Sequence, residues 1–306
     1  MTRWQTYAQL VRLPNLPSAL ADIGLGALAT GALPGRWLTF LLLLPASACL
    51  YCGGMVWNDY FDVEQDKRER PFRPIPSGRV SQREAALIGA ALLAAGVVFA
   101  ILAGWSQALF DEGERSARPG RIAIFLVVAI LLYDSWLKRT WAGPIAMGSC
   151  RFLNVLLGIS VAGTSAWPRG AHLALVVGLY IVGVTWFART EARMSNQNAL
   201  RGAAAVLFSS FLLALPLPTY LHPGESSPLF PYLLVGLAFL LGLPVWQAIV
   251  SPTPEHVQQA VKRCLMGLIL LDTVLATALA STVGLVLLVL LLPSMYLNYR
   301  KGLYAT

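Results

Sequence analysis

The chain has 306 residues, of which 57% are hydrophobic and 12% charged, with a mean hydropathy of +0.63. That balance excludes a water-soluble globular domain, because so much apolar surface finds its solvent only in lipid. The formal net charge of +8 does not point to nucleic acid, since the basic residues gather at the ends of apolar runs and form no basic stripe.

Crossing about 30 Å of hydrocarbon at 1.5 Å per helical residue takes about 20 residues. Residues 1–13, with Trp4, Tyr7, Leu10 and Val11, read as an amphipathic lead-in. They lack the charged stub and short apolar core of a cleavable signal, so the first span is expected to stay in the protein. Apolar runs follow near 15–33, 37–57, 82–104, 121–137, 143–163, 171–189, 201–218, 230–250, 260–280 and 282–298. None alternates in the manner of barrel strands. The expectation is an all-α, polytopic transmembrane bundle of about nine to ten spans, with residues 1–306 as a single transmembrane domain. Cys49, Cys52, Cys150 and Cys264 lie inside these runs and read as small packing residues.

If the N-terminus is cytoplasmic, seventeen of the 23 Lys and Arg residues fall in inside segments and five outside, with Arg151 inside a span. The positive-inside rule then puts both termini and the polar loops 58–81 and 189–200 on the cytoplasmic face of an inner (plasma) membrane. Each of these loops follows the second helix of a set of four. Spans 1–4 (about 15–137) and 5–8 (about 143–250) therefore fit a parallel internal repeat, helped by Arg12-Leu-Pro-Asn15 and Arg151-Phe-Leu-Asn154. The outside loop 105–120, with Asp111, Glu112 and Glu114, reads as a solvated connector.

The chemically informative stretch lies where the second span leaves the membrane, at Asn58-Asp59-Tyr60-Phe61-Asp62-Val63-Glu64-Gln65-Asp66. At about 100° per helical residue, Asn58, Asp59, Asp62 and Asp66 fall within roughly a 100° arc. Like charges about 4 Å apart repel by about 4 kcal/mol at an effective dielectric near 20, so such a cluster usually exists to hold a cation. Oxygen-only ligands select a hard one, Mg²⁺ or Ca²⁺. Lys67, Arg68, Arg70, Arg73 and Arg79 follow, in a loop broken by Pro71, Pro74 and Pro76. Mg²⁺ is typically held by one or two carboxylates with phosphate oxygens completing its shell, and Arg forks suit the remaining oxygens. A diphosphate at the membrane surface satisfies both halves. A merely solvated loop would explain the basic residues but not the register of the acids.

Asn58-Asp59-x-x-Asp62-x-x-x-Asp66, followed by Arg73-Pro-Ile-Pro-Ser-Gly-Arg79, resembles the first aspartate motif of the UbiA superfamily of intramembrane prenyltransferases. Tyr133-Asp-Ser-Trp-Leu-Lys138-Arg139 is similar to that family's Y-S-x-x-L-K-R segment, and the helical layout extends the resemblance over nearly the whole chain. The resemblance implies Mg²⁺-dependent transfer of a prenyl group from an isoprenoid diphosphate to a small acceptor, aromatic or otherwise lipophilic. It implies Asn58, Asp62 and Asp66 as metal ligands, and Tyr133, Lys138 and Arg139 beside them as catalytic residues. Asp59, Arg68, Arg73 and Arg79 would bind the substrate.

The family normally has nine spans, so 282–298 would be an addition. Its second motif, D-x-x-D-x-x-x-D, should fall at Ala188-Arg-Thr-Glu191-Ala-Arg-Met-Ser195, where Glu191 is the one acid left as a metal ligand. Arg189 and Arg193 either offset phosphate charge there or serve as topology anchors. That erosion keeps a second reading open, a family-like protein that binds or moves a lipid or prenylated precursor without turnover. Isoprenoid diphosphate, acceptor and membrane lipid are the expected partners; no protein partner can be deduced.

Several further polar residues sit at membrane depth. Asp22 and Asp272 are intramembrane carboxylates, which need a cavity or a partner. Asn15 and Asn154 line the pocket or hydrogen-bond between helices. Arg151 lies too deep to set topology and requires an acid or a phosphate. His172, His222 and His256 are scattered at span ends, without metal-ligand spacing.

Overall fold

The computed structural model describes residues 2–31, 33–110, 115–162, 166–189, 194–221 and 226–299, and among these every regular element is helical. The order is α1 (Arg3–Leu10), α2 (Leu16–Thr30), α3 (Trp37–Phe61), α4 (Val63–Glu69), α5 (Gln82–Phe110) and α6 (Arg118–Ser135). It continues with α7 (Gly143–Ile159), α8 (Trp167–Ala188), α9 (Gln197–Ala214), α10 (Phe230–Val250) and α11 (Pro254–Ala280). A 3-10 segment, Ser281–Leu290, then leads into α12 (Leu291–Tyr299).

Six helical stretches among the described residues are long and apolar enough to cross a bilayer: Trp37–Phe61, Gln82–Ser106, Trp167–Ala188, Gln197–Tyr220, Phe230–Val250 and Pro254–Leu297. The chain is thus an integral membrane protein built of helices. Six is fewer than the nine to ten spans expected from the apolar runs. The difference falls on α2, α6 and α7, which have 15, 18 and 17 residues. The run 282–298 is likewise not one α-helix. Ser281 takes the left-handed φ of 53°, which ends α11, and ten residues of 3-10 helix follow. Even so the segment travels back along its neighbours. Gly284 meets Ala276, Leu287 meets Gly24, and Ser294 donates to the Pro14 carbonyl at 3.2 Å.

Lipid offers no hydrophobic drive for one helix to meet another, so close packing and interhelical polar bonds must hold the bundle. At the α2–α7 contact a Cβ added to Gly26 would lie 2.6 Å from the Ile159 nitrogen, and one on Gly158 would lie 2.7 Å from the Ile23 carbonyl oxygen. Only glycine allows that approach, and it sets Asp22 of α2 opposite Arg151 of α7. At the opposite end of the bundle, Arg169 donates to the Thr30 carbonyl at 3.1 Å and Arg36 to the Val161 carbonyl at 2.7 Å. Both close free carbonyls at helix C-termini, where a cation also meets the negative end of the dipole.

Candidate functional site

Three local features bring polar residues to one end of the bundle. First, α3 and α4 are nearly continuous: Asp62 interrupts them, yet the Asp62 amide bonds the Asn58 carbonyl and the Asp66 amide bonds the Asp62 carbonyl. The four polar residues therefore keep close to their helical register. Second, the proline loop after α4 folds back through the bonds Ser77 N to Arg73 O and Gly78 N to Ile75 O, with Gly78 at φ 75°. This turn buries Arg73 against the helix that precedes it. Third, Arg12 adopts the left-handed φ of 48° just before α2. A non-glycine residue held there is strained, a condition that clusters at functional sites.

The result is an interleaved set of charges, not an open acidic cluster. Arg12 donates from one nitrogen to Asn58 Oδ1 at 3.0 Å and to Asp59 Oδ1 at 2.9 Å. Arg73 donates to Asp66 Oδ2 at 2.8 Å and to Asp59 Oδ1 at 3.2 Å. Lys138 Nζ lies 2.8 Å from Asp62 Oδ1 and 3.9 Å from Asp134 Oδ1, which accepts from Asn58 Nδ2 at 2.8 Å. Arg139 is peripheral: it reaches the Phe61 carbonyl at 3.1 Å and stays 3.7 Å from Asp62. Burial pushes the Asp66 carboxyl above its ordinary range, against the pull of Arg73. Burial, with Arg12 nearby, lowers Arg73.

Behind this polar mouth a cavity enters the bundle between α2, α3, α6 and α7, with about 530 Å³ of empty space including its opening. Leu50, Tyr51, Met55, Tyr133 and Met147 wall it, and Asp134, Arg151 and Asn154 are its polar edge. Arg151 is held by Asp22 at 2.9 Å and Ser18 at 2.8 Å. Asn154 bonds Asp22 at 2.8 Å and the Ala19 carbonyl at 3.0 Å, and accepts from Ser47 at 2.8 Å. So Arg151 finds an acid, and Asn154 both lines the cavity and ties helices together.

Other expected site residues fall elsewhere. Arg68 lies in an outer groove with Phe61, Glu64, Gln65, Glu69 and Arg139, which neither Asp59 nor Asp66 lines. Arg79 bonds Gln9 at 3.1 Å and Ser77 at 2.9 Å and so braces the loop. Asn15 follows Arg12 in the turn before α2, where its carbonyl takes the Ser18 hydroxyl at 2.8 Å. Arg189 donates to the Thr140 carbonyl. Glu191 and Arg193, like His222 and the acids of loop 105–120 at Asp111, Glu112 and Glu114, lie outside the described residues.

The residues that sequence reasoning passed over are Arg12, Asp134 and Tyr51. Arg12 was legible only as a topology charge and repeat marker. Asp134 had a signal, a carboxylate four residues before Lys138 at the end of an apolar run. Among the described residues no three His, Cys, Asp or Glu side chains converge tightly enough to hold a metal ion alone. The donors are nonetheless all oxygen, and each carboxylate already balances a cationic side chain. An all-oxygen set of this kind is chemically suited to a hard divalent ion.

Residues 19–269 match the UbiA prenyltransferase family. The digeranylgeranylglyceryl phosphate synthase of Ignicoccus hospitalis is 36% identical over 160 residues, covering 46% of this chain and 50% of that protein. Its counterpart in Methanopyrus kandleri is 42% identical over 94 residues, covering 30% and 34%. The chain thus spans about half the length, or less, of the curated relatives it matches. Among solved structures, one concerned with digeranylgeranylglyceryl phosphate synthase in membranes superposes with a TM-score of 0.66 at 22% identity, covering 92% of this chain and 99% of that one. A UbiA homologue from Archaeoglobus fulgidus bound to GPP and Mg²⁺ gives 0.59 at 16% identity, covering 86% and 99%. At these identities the structural likeness speaks for the fold.

Proposed function

Because the chain belongs to the UbiA prenyltransferase family, we propose that it is an intramembrane, Mg²⁺-dependent prenyltransferase that moves an isoprenoid group from a polyprenyl diphosphate to a small lipophilic acceptor. The observation that carries this reading is the meeting of Asn58, Asp59, Asp62, Asp66, Arg73 and Lys138 in one charge set, joined to a largely apolar cavity through Asp134, which lines it and bonds Asn58. On diphosphate arrival Arg73, Lys138 and Arg12 exchange their carboxylate partners for phosphate oxygens. Asn58, Asp62 and Asp66 would then hold Mg²⁺, with Glu191 proposed as a further ligand. Bound there, the metal supplies charge neutralisation on the leaving group.

The remaining chemistry belongs to the chain itself. Arg73 and Lys138 hold the departing diphosphate as the C–O bond ionises. Tyr51, Met55, Tyr133 and Met147 enclose the allylic cation and exclude the water that would quench it. Arg139 and Arg68 sit far enough out to act as a basic approach surface. The acceptor follows two lines: an aromatic nucleophile, as the family resemblance suggests, or a glyceryl phosphate lipid, as the name of the relatives suggests. Arg151 at the cavity edge would suit the anionic group of the latter.

A non-catalytic lipid carrier is the second reading, favoured by the pairing of the mouth carboxylates with the chain's own cations and by the degenerate stretch 188–195. Incubating purified protein with a panel of isoprenoid diphosphates and Mg²⁺ separates the two. The enzyme releases diphosphate from at least one substrate on mass-spectrometric analysis. Tight binding without release from any of them gives the carrier.

The same reading counts α2, α6 and α7 as crossings, with Ser281–Tyr299 returning across the membrane, for nine to ten in all, and keeps the site and both termini cytoplasmic. Cysteines introduced at 67–79 in intact cells are then protected from impermeant reagent, and cysteines at 115–118 react. Labelling of 67–79 from outside would invert the orientation.

A further inference from the structure

Away from the cavity mouth, α2, α7 and α11 enclose a second group of charges. Asp22 and Asp272 are both 0% exposed. Asp22 Oδ2 receives Arg151 and Asn154, but its Oδ1 and both oxygens of Asp272 receive no donor from any other described residue. Asp272 of α11 neighbours Asp22 of α2 where the two helices pack. Two acids and one guanidinium thus share a low-dielectric space. The other titratable groups near them are Tyr51 from α3 and Cys150 from α7, toward Arg151, and Tyr180 from α8, toward Asp272. None of these groups adds a positive charge, and the 3-10 segment Ser281–Leu290 packed on α2 and α11 carries no ionisable residue.

We propose that Asp22 and Asp272 form a membrane-buried proton-binding pair, which holds one shared proton and sets the charge that Arg151 presents at the cavity wall. Charge balance requires one monovalent cation: two ionised carboxylates beside one guanidinium leave an uncompensated negative charge shut off from bulk solvent. A proton fits better than a metal ion, because it needs only two facing carboxyl oxygens. A sodium ion would need several more oxygen ligands than the two carboxyl groups themselves offer. The proton also accounts for two of the three oxygens left without a donor, one carrying it and the other accepting it. With one proton bound, the group of Arg151, Asp22 and Asp272 is neutral. A second proton, on Asp22, would leave the guanidinium without a counter-charge and ready for an anion in the cavity. The site does not depend on prenyl transfer and stands or falls separately from it.

Infrared spectroscopy of the purified full-length protein in detergent, in H₂O and D₂O near neutral pH, tests this. The expected spectrum contains a protonated-carboxyl C=O band that moves to lower frequency in D₂O. The band disappears in Asp272→Asn, and also in Asp22→Asn, where Asp272 pairs directly with Arg151. Asp272→Glu, which keeps the carboxyl, shifts the band without removing it and covers the case in which Asp272→Asn fails to fold. Absence of the band in the wild type, or its persistence unchanged through all three variants, overturns the proposal. So does thermal stability that rises saturably with Na⁺ against choline while the band is missing, which would make the ligand an alkali cation.

Discussion

Replacing Asp62 with alanine is expected to reduce Mg²⁺-dependent diphosphate release by a factor on the order of 10²–10³, the range seen when one preorganised electrostatic partner of a developing charge is removed. Asp62 is less buried than Asp66: its side chain is 17% exposed, against 5% for Asp66, and its nearest charged partner is Lys138 at 2.8 Å. Losing it leaves Lys138 with Asp134 at 3.9 Å, so the lysine is not stranded. The fold should tolerate the change, with detergent-state melting within a few degrees of wild type. Asp66→Ala should lose activity similarly but cost more stability, since Arg73 is buried and keeps only Asp59. Isothermal titration with a non-hydrolysable isoprenoid diphosphate and Mg²⁺ separates the effects. Loss of turnover with metal-dependent binding intact would remove Asp62 from the metal shell and leave it as a tether for Lys138.

The class of the fold and the position of the candidate site were legible in the sequence, because both depend on local pattern. Runs of about 20 apolar residues and an i, i+4, i+8 series at Asn58, Asp62 and Asp66 are readable without knowing what packs against them. Partner choice was not readable. The acids suggested an open cation site, whereas the chain supplies its own counter-ions from 46 and 76 residues away, Arg12 to Asn58 and Lys138 to Asp62. Arg12 looked like a topology charge because nothing local signals a left-handed φ in a non-glycine residue. The arginines at the opposite end were counted against the positive-inside rule, yet Arg36 and Arg169 close helix C-termini. The last apolar run misled for a different reason: composition does not distinguish an α-helix from a 3-10 segment when neighbouring helices supply the packing.

Replacing Arg151 with methionine is expected to produce the largest loss of stability of any single substitution considered, about 3–5 kcal/mol, the scale for breaking a buried ion pair by removing one partner. Methionine keeps much of the side-chain volume, so the loss comes mainly from charge: Asp22 would keep Asn154 but lose its counter-ion while Asp272 remains beside it. The destabilisation should deepen as pH rises, because at lower pH the two acids can take up protons and shed the uncompensated charge, an escape that disappears as protons become scarce. The double variant Asp22→Asn/Arg151→Met then recovers most of the lost stability, since an amide there leaves one acid, which a single proton neutralises. Thermal unfolding in detergent across a pH series, without ligand, reads both effects. If Arg151→Met melts with the wild type at every pH, the Asp22–Arg151 pair does not hold α2 against α7. The Gly26–Gly158 approach would then have to hold that contact unaided, and Arg151 would serve the cavity alone.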